Sequence, residues 1–370
     1  MTAVPHSLPP TAATPVVGSV LADAVRRSAD AVLEETVVAS WSRLGIAARR
    51  RLWRWESPAP AGSLTGANIL VTGGTSGIGR ATALALASAG ATVGIVGRDF
   101  SRATTAAAEI GRAAAGRAMR DRKSGEDDHG TGGDVWAAAA DLGSVAEVAA
   151  LAAVVADRAD RLDAVVHAAG LLSRSRRTSP DGTELTAAVH VVGPHLLTAR
   201  LAPLLAAGAP SRVIWVSSGG MYLQRLDVAG FDQPPDRYRG STAYALAKRA
   251  QVVLAHLWGR RLADAGVACV AMHPGWVDTD ALRHGMPRFA AVLGPLLRTP
   301  DEGADTVVWL AAGAPGPRPV PALWLDRRPR REHRWPKTAV AAGEAERLWA
   351  WCEERTGGAG AAALAGLASR

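Results

Sequence analysis

A short apolar run, Asn68–Thr72, passes directly into Thr72-Gly73-Gly74-Thr75-Ser76-Gly77-Ile78-Gly79, and a helical pattern follows over residues 78–88. Few architectures need a strand, a glycine-rich turn and a helix N-terminus in that order. Glycines permit the tight turn and let the backbone approach a pyrophosphate, whose charge is favoured at the start of the following helix. The spacing is Gly-xxx-Gly-x-Gly rather than the standard Gly-x-Gly-xx-Gly. A glycine cluster alone is a weak signal; set between a strand and a helix, it points to a nucleotide.

The alternation continues. Apolar strands are expected at residues 91–96, 135–140, 164–167, 212–216, 267–272 and 322–325, and helices at 99–115, 144–156, 182–206, 242–263 and 300–311. Continuous apolar strands interleaved with helices imply a parallel sheet covered on both faces. The expected fold is α/β, a single Rossmann-type doubly wound sheet of about seven strands over residues 63–330. Within it residues 117–134, polar and glycine-rich, read as a flexible surface insertion. Residues 1–62 form an extension: a Pro/Thr/Ala-rich start (1–15) expected to be disordered, then Leu21, Val25, Val32, Val37, Trp41 and Leu44 at helical spacing. That stripe ends in the basic tract Arg49-Arg-Arg-Leu-Trp53-Arg-Trp55. Residues 331–370 read as a tail with one helix at 342–354.

The net charge of +8 admits nucleic acid or an anionic membrane surface as partner. Arginine-rich tracts supply much of it, and no nucleic-acid recognition motif accompanies them, so no nucleic-acid partner is expected. Residues 41–55 remain a candidate peripheral membrane contact; packing on the core or on a second subunit is the favoured alternative. The two cysteines, Cys269 and Cys352, lack metal-ligand spacing, so neither a disulfide framework nor a metal site is expected and the default compartment is the cytoplasm. The first residues lack the pattern of a secretory signal, and no long uncharged apolar run reads as a membrane span.

Tyr244 and Lys248 stand four apart in the 242–263 helix, which puts both on one face. An ammonium beside a phenol favours the phenolate, and a tyrosine tuned that way can act as general acid or base on an alcohol or carbonyl.

Together, the 72–79 turn and the Tyr244/Lys248 pair resemble the short-chain dehydrogenase/reductase family. Further motifs match in order over about residues 65–330: His167-Ala168-Ala169-Gly170, where the family usually has Asn-Asn-Ala-Gly; Val216-Ser217-Ser218-Gly219, whose second serine matches the catalytic serine; and His273-Pro274-Gly275-Trp276-Val277-Asp278-Thr279, matching the segment that closes over the nicotinamide. Asp141, followed by Leu142, matches the acidic residue that meets the adenine. A narrower match, in Ser217-Ser-Gly-Gly-Met221, the 26-residue gap from Ser218 to Tyr244 and Met272-His-Pro-Gly-Trp276, resembles the member-12-like subgroup near the retinol-dehydrogenase-like branch.

The resemblance implies hydride transfer between nicotinamide and a carbonyl or alcohol carbon. Tyr244 would act as acid/base, Lys248 would lower its pKa and hold the nicotinamide ribose, and Ser218 would hold the substrate oxygen. The cofactor would rest on Thr72, Gly73, Thr75, Ser76, Gly77, Ile78, Gly79, Asp141, Leu142, Ala169, Gly170, Tyr244, Lys248, Pro274, Gly275, Val277 and Thr279. His190 stands where the family has a catalytic Asn, and it can keep a proton relay behind Lys248 or be a helix histidine bonded to a backbone carbonyl. Arg98 follows the second strand where a 2′-phosphate would lie, so NADP(H) is expected over NAD(H); Asp99 reads as a helix cap, and Arg80 as a second positive charge. The tract Arg327–Trp335 reads as a solvated loop or a site for an anionic substrate group. Trp276, Met286 and Phe289 fit a lipophilic substrate, or a core. The rival function is a non-catalytic dinucleotide sensor on the same fold. Family habit implies a homo-oligomer.

Overall fold

The computed structural model describes residues 17–121, 132–313 and 323–369. The readings made for residues 1–15, for 122–131 of the insertion and for Ala322 lie outside these residues.

The extension forms three helices, α1 (Val17–Glu35), α2 (Val37–Trp41) and α3 (Arg43–Trp53), rather than one. The breaks fall at Thr36 and Ser42, whose backbones are extended; the Ser42 hydroxyl caps α3 by accepting from the Leu44 N–H. Ser and Thr favour such caps because their side chains compete with the helix for backbone donors. Eight strands follow: β1 (Asn68–Thr72), β2 (Thr92–Gly97), β3 (Val135–Ala139), β4 (Ala164–His167), β5 (Ser211–Val216), β6 (Val267–Met272), β7 (Leu323–Leu325) and β8 (Arg328–Pro329). Their order across the sheet is β3-β2-β1-β4-β5-β6-β7-β8, parallel throughout except for β8, a short strand antiparallel to β7. Interleaved are α4 (Gly77–Ser88), α5 (Phe100–Asp121), α6 (Val145–Ala156), α7 (Leu185–Ala187), a π-helical turn (Ala188–Val192), α8 (Gly193–Ala207), α9 (Gly240–Arg261), α10 (Asp280–Gly285), α11 (Pro287–Leu293) and α12 (Pro300–Ala311). Residues 117–121 of the expected insertion belong to α5.

Successive strand residues point to opposite faces, and both faces are dry. Leu70, Val165, Val213 and Trp215 pack toward α6, α8 and α9. Ile69, Val71, Val166 and Ile214 pack toward α4, α5 and α12. The parallel register brings the ends of β1, β4, β5 and β6 to one edge, the rim where ligands bind in such sheets.

Two helices, not one, close the chain: α13 (Glu344–Thr356) and α14 (Ala359–Ala368), separated by Gly357 and Gly358 at φ 64° and 75°. They cover α9 and α8. His195 Nε2 lies 2.8 Å from Glu353, and Trp349 packs on Trp258 beneath Arg261. The stretch Leu185–Ala207 is long and apolar enough to cross a membrane, but 83% of its most apolar window is buried inside the fold.

The basic tracts turn inward. Arg49, fully buried, reaches Asp30 (2.6 Å), Glu34 (2.9 Å) and Asp326 (2.6 Å). Arg330 pairs with Asp30, Arg334 with Glu34, and Arg327 with Asp305. Arg327, Arg330 and Arg334 are therefore neither solvated nor a free anion site, although Arg331 between them stays exposed. They are the far half of an ion-pair network that fastens α1–α3 to the sheet. Burial would raise the Asp30 and Asp326 carboxyls, but the surrounding guanidiniums outweigh it and hold both below the usual carboxylate range.

Candidate active site

Ser218 follows the last residues of β5, and its neighbour Ser217 donates from Oγ to the Lys248 carbonyl at 2.8 Å, locking the strand end to α9. The Ser218 hydroxyl hydrogen-bonds the Tyr244 phenol. One turn on, the buried Lys248 Nζ donates to Val216 O (2.9 Å) and Gln251 Oε1 (3.1 Å) and lies 5.5 Å from the Tyr244 ring centroid. Ser218, Tyr244 and Lys248 thus lie together at the end of β5.

The electrostatics differ from expectation. Burial brings the Lys248 ammonium down to about 7. Burial also pushes the Tyr244 phenol up, against the Ser218 hydrogen bond. The lysine faces the ring and is held by Val216 and Gln251, so it does not pull the phenol pKa down in this geometry; desolvation disfavours both charged forms.

His190 lies fully buried in the π-helical turn, a distortion often found at functional sites. Its Nε2 is 3.0 Å from both the Leu171 N–H and the Leu171 carbonyl, and its ring meets Tyr244 edge-on at 5.5 Å. Burial, reinforced by Lys248, holds it neutral. The imidazole therefore bonds the backbone at Leu171 and not Lys248. The link behind the lysine is Gln251, whose Nε2 donates to the His190 carbonyl at 3.0 Å. An amide that accepts at one end and donates at the other orients Lys248 without itself carrying a proton. Gln251 was missed in the sequence; the available signal was a polar residue three positions beyond Lys248, on the buried side of α9.

The glycine turn is shaped for close approach. Gly73 sits at φ 70°, and a Cβ there would be 2.7 Å from Ala169; one at Gly79 would be 2.2 Å from the Gly73 carbonyl. Thr72 Oγ1 accepts from the Ala169 N–H, tying β1 to β4, and Gly170 lies against the His190 ring. The Ser76 side chain makes no cap hydrogen bond, so the first N–H groups of α4, at Gly77, Ile78 and Gly79, face the turn without it. An uncapped helix start behind a turn no larger residue would fit suits a dinucleotide pyrophosphate. Thr279 reaches Gly77, and Val277 packs against Gly303 beside Ile78, so the 273–279 segment closes on the same turn. Pro274 O accepts from Arg298, and Gly275 sits at φ 77°.

The remaining expected residues lie around this centre. Thr75 packs against Gly97, next to the exposed Arg98, while Arg80 pairs with Glu109. Asp99 caps α5 through the Arg102 N–H. Asp141 accepts from the Gly143 N–H, and Leu142 is buried beside it. His167 is structural: it is buried, bonds Thr198 at 2.9 Å and packs on Trp215. Phe289 stacks edge-on to Trp276 at 5.2 Å, and Met286 is exposed nearby. Among the described residues no group of three or more His, Cys, Asp or Glu could hold a metal.

Residues 67–287 match the family model for short chain dehydrogenase. The chain is 37% identical over 291 residues to Dehydrogenase/reductase SDR family member 12 of Bos taurus, covering 78% of this chain and 86% of that protein. It is 31% identical over 280 residues to Retinol dehydrogenase 14 of Mus musculus, covering 72% and 81%. Among solved structures, the RhlG/NADP active-site complex of Pseudomonas aeruginosa superposes with a TM-score of 0.54 at 26% identity, covering 69% of this chain and 94% of that one.

Proposed function

This chain belongs to the short-chain dehydrogenase/reductase family, in its retinol-dehydrogenase-like group, and on that premise we propose that it is an NADP(H)-dependent oxidoreductase acting at a carbonyl or alcohol carbon of a small lipophilic substrate. One observation carries the reading: Ser218, Tyr244 and Lys248 converge at the end of β5, on the rim that also holds the glycine turn. When bound, the nicotinamide supplies or takes up the hydride. Tyr244 gives the proton to the substrate oxygen or removes it, and Ser218 positions that oxygen. Lys248, oriented by Gln251, stands ready to favour the phenolate once a polar ligand offsets its desolvation. The phosphate preference rests on Arg98, a guanidinium exposed at the corner beside Thr75, and the structural neighbour in complex with NADP is consistent with it. The substrate class rests on Trp276, Phe289 and Met286.

NADPH oxidation with a panel of aldehydes, ketones and quinones tests the proposal. Tyr244→Phe should lose turnover by about 10²–10⁴-fold while NADPH still binds. Full activity in that variant rejects the acid, and no turnover with any carbonyl rejects the activity and favours the sensor.

Membrane contact through 41–55 is the weaker of the two readings for that segment. Trp41 and Arg49 are buried, and Trp53 and Trp55 lie under Arg328 and Arg327. A homo-oligomer built on α8 and α9 would have to displace α13 and α14; size-exclusion with light scattering tests it. The cytoplasmic reading rests on two free, buried cysteines, which suit a reducing compartment.

A further inference from the structure

Besides its ion pairs to Asp326, Arg330 and Arg334, the N-terminal extension packs on the segment that follows β6. The Trp41 carbonyl accepts from the Trp276 N–H at 2.8 Å. Arg298 donates to the Ser40 and Ser42 carbonyls on one side and to Pro274 O on the other. Asp326 joins Arg298 to Arg49 of α3, so extension and segment share one buried carboxylate. The contact is close: a Cβ at Gly275 would be 2.5 Å from the Trp41 carbonyl.

The Trp41 side chain goes further into the site. It is 6% exposed, stacks on Tyr222 at 5.5 Å, and meets His273 and Trp276 edge-on at 5.1 and 5.9 Å. A Cβ at Gly219 would be 2.5 Å from the indole ring, and Gly219 is the residue after Ser218. One ring therefore touches the backbone that carries the site serine and the Trp276 ring, which packs on Phe289 and which the proposed function assigns to the apolar side of the site.

We infer that the extension is a built-in wall of the substrate site, and that Trp41 is a positioning residue that fixes Trp276 and the Ser218–Gly219 backbone for an apolar substrate. Trp41 is buried, so it acts through Trp276 and not by touching substrate. Its influence should grow with the length of the apolar group that Trp276 must flank. A short substrate that reaches only Ser218 and Tyr244 should be nearly indifferent to it.

The inference rests on the site reading above, and two measurements on the full chain keep them apart. The first compares wild type, Trp41→Ala and Trp41→Phe in NADPH-driven reduction of propanal and decanal. Trp41→Ala should raise KM for decanal about ten-fold or more, leave KM for propanal and the Kd for NADPH within about twofold, and be largely rescued by Trp41→Phe. An unchanged decanal KM, or equal losses on both aldehydes together with NADPH affinity, overturns the inference. The second is hydrogen exchange, which needs no turnover. In Trp41→Ala the 273–298 peptide should exchange several-fold faster while the 244–251 peptide keeps its protection. Equal exchange in 273–298, or acceleration throughout the chain, overturns the inference as well. Wild type that reduces no carbonyl, yet shows the localised exchange change, sinks the proposed activity and leaves the wall standing.

Discussion

Replacing Lys248 by methionine should stabilise the ligand-free protein while abolishing its function. The Nζ is buried, and its pKa falls from the ordinary 10.5 to about 7 because burial disfavours the ammonium. Each pH unit between the folded and unfolded values is worth about 1.36 kcal/mol, so at pH 7 the site costs folding about 4 kcal/mol. Methionine removes that cost but forfeits the bonds to Val216 O and Gln251 Oε1, at about 1 kcal/mol each. The net gain is about 2 kcal/mol. The pH dependence is a cleaner signature. Between the folded and unfolded values the unfolded chain holds a proton that the folded chain has released, so wild-type stability rises with pH there. From pH 7 to 9 the rise is about 2 kcal/mol. Above pH 9 the comparison blurs, because burial pushes the Cys269 and Cys352 thiols up and favours unfolding as the unfolded thiols ionise. Urea unfolding of wild type and Lys248→Met at pH 7, 8 and 9 measures the difference directly. Parallel stability profiles for the two proteins over that range would refute the claim that burial depresses the Lys248 pKa in the folded site.

Three further outcomes follow from the same geometry. Gln251→Leu removes an acceptor from Lys248 and the donor to the His190 carbonyl. It should lower kcat/KM more than His190→Leu or His190→Asn does, because both of those keep the backbone carbonyl that Gln251 uses; equal activity in wild type and Gln251→Leu would show the bridge to be idle. Asp326→Ala removes the carboxylate that pairs with the buried Arg298 and one of the three that pair with Arg49, so it should cost about 3–5 kcal/mol in chemical unfolding; a loss within experimental error would mean the network is dispensable. Arg98→Ala should weaken NADPH about ten-fold and leave NADH nearly unchanged in fluorescence titration; parallel losses for both cofactors would remove the basis for phosphate preference.

Much of the site was legible because its signals are local. Gly73 and Gly79 are needed for backbone clearances within a few residues of themselves or across one strand pair, so a glycine cluster between strand and helix reports them. Tyr244 and Lys248 share a helix face by spacing alone. Strand identity followed from unbroken apolar runs, since a strand covered on both faces has no polar side to show. The lysine's effect on the tyrosine was misjudged because spacing gives proximity and not solvent exposure, and burial dominates both groups.

By itself, then, the sequence determined the doubly wound sheet, the glycine turn and the Tyr244/Lys248 pair, consequences of short-range periodicity and backbone clearance, while the family resemblance supplied Ser218 and the 273–279 segment. Only the tertiary structure decided what the arginines and the extension do. Helical spacing sets Trp41 in an apolar stripe, yet Val25, Val32 and Leu44 of that stripe are exposed, and the pattern carries no record of what covers Trp41 alone. Arg49 finds Asp326, 277 residues away, and Arg330 finds Asp30, 300 residues away. A charge read in isolation belongs to solvent. It becomes structural when the topology sets its partner opposite it in a site that excludes water, and no local pattern encodes that meeting.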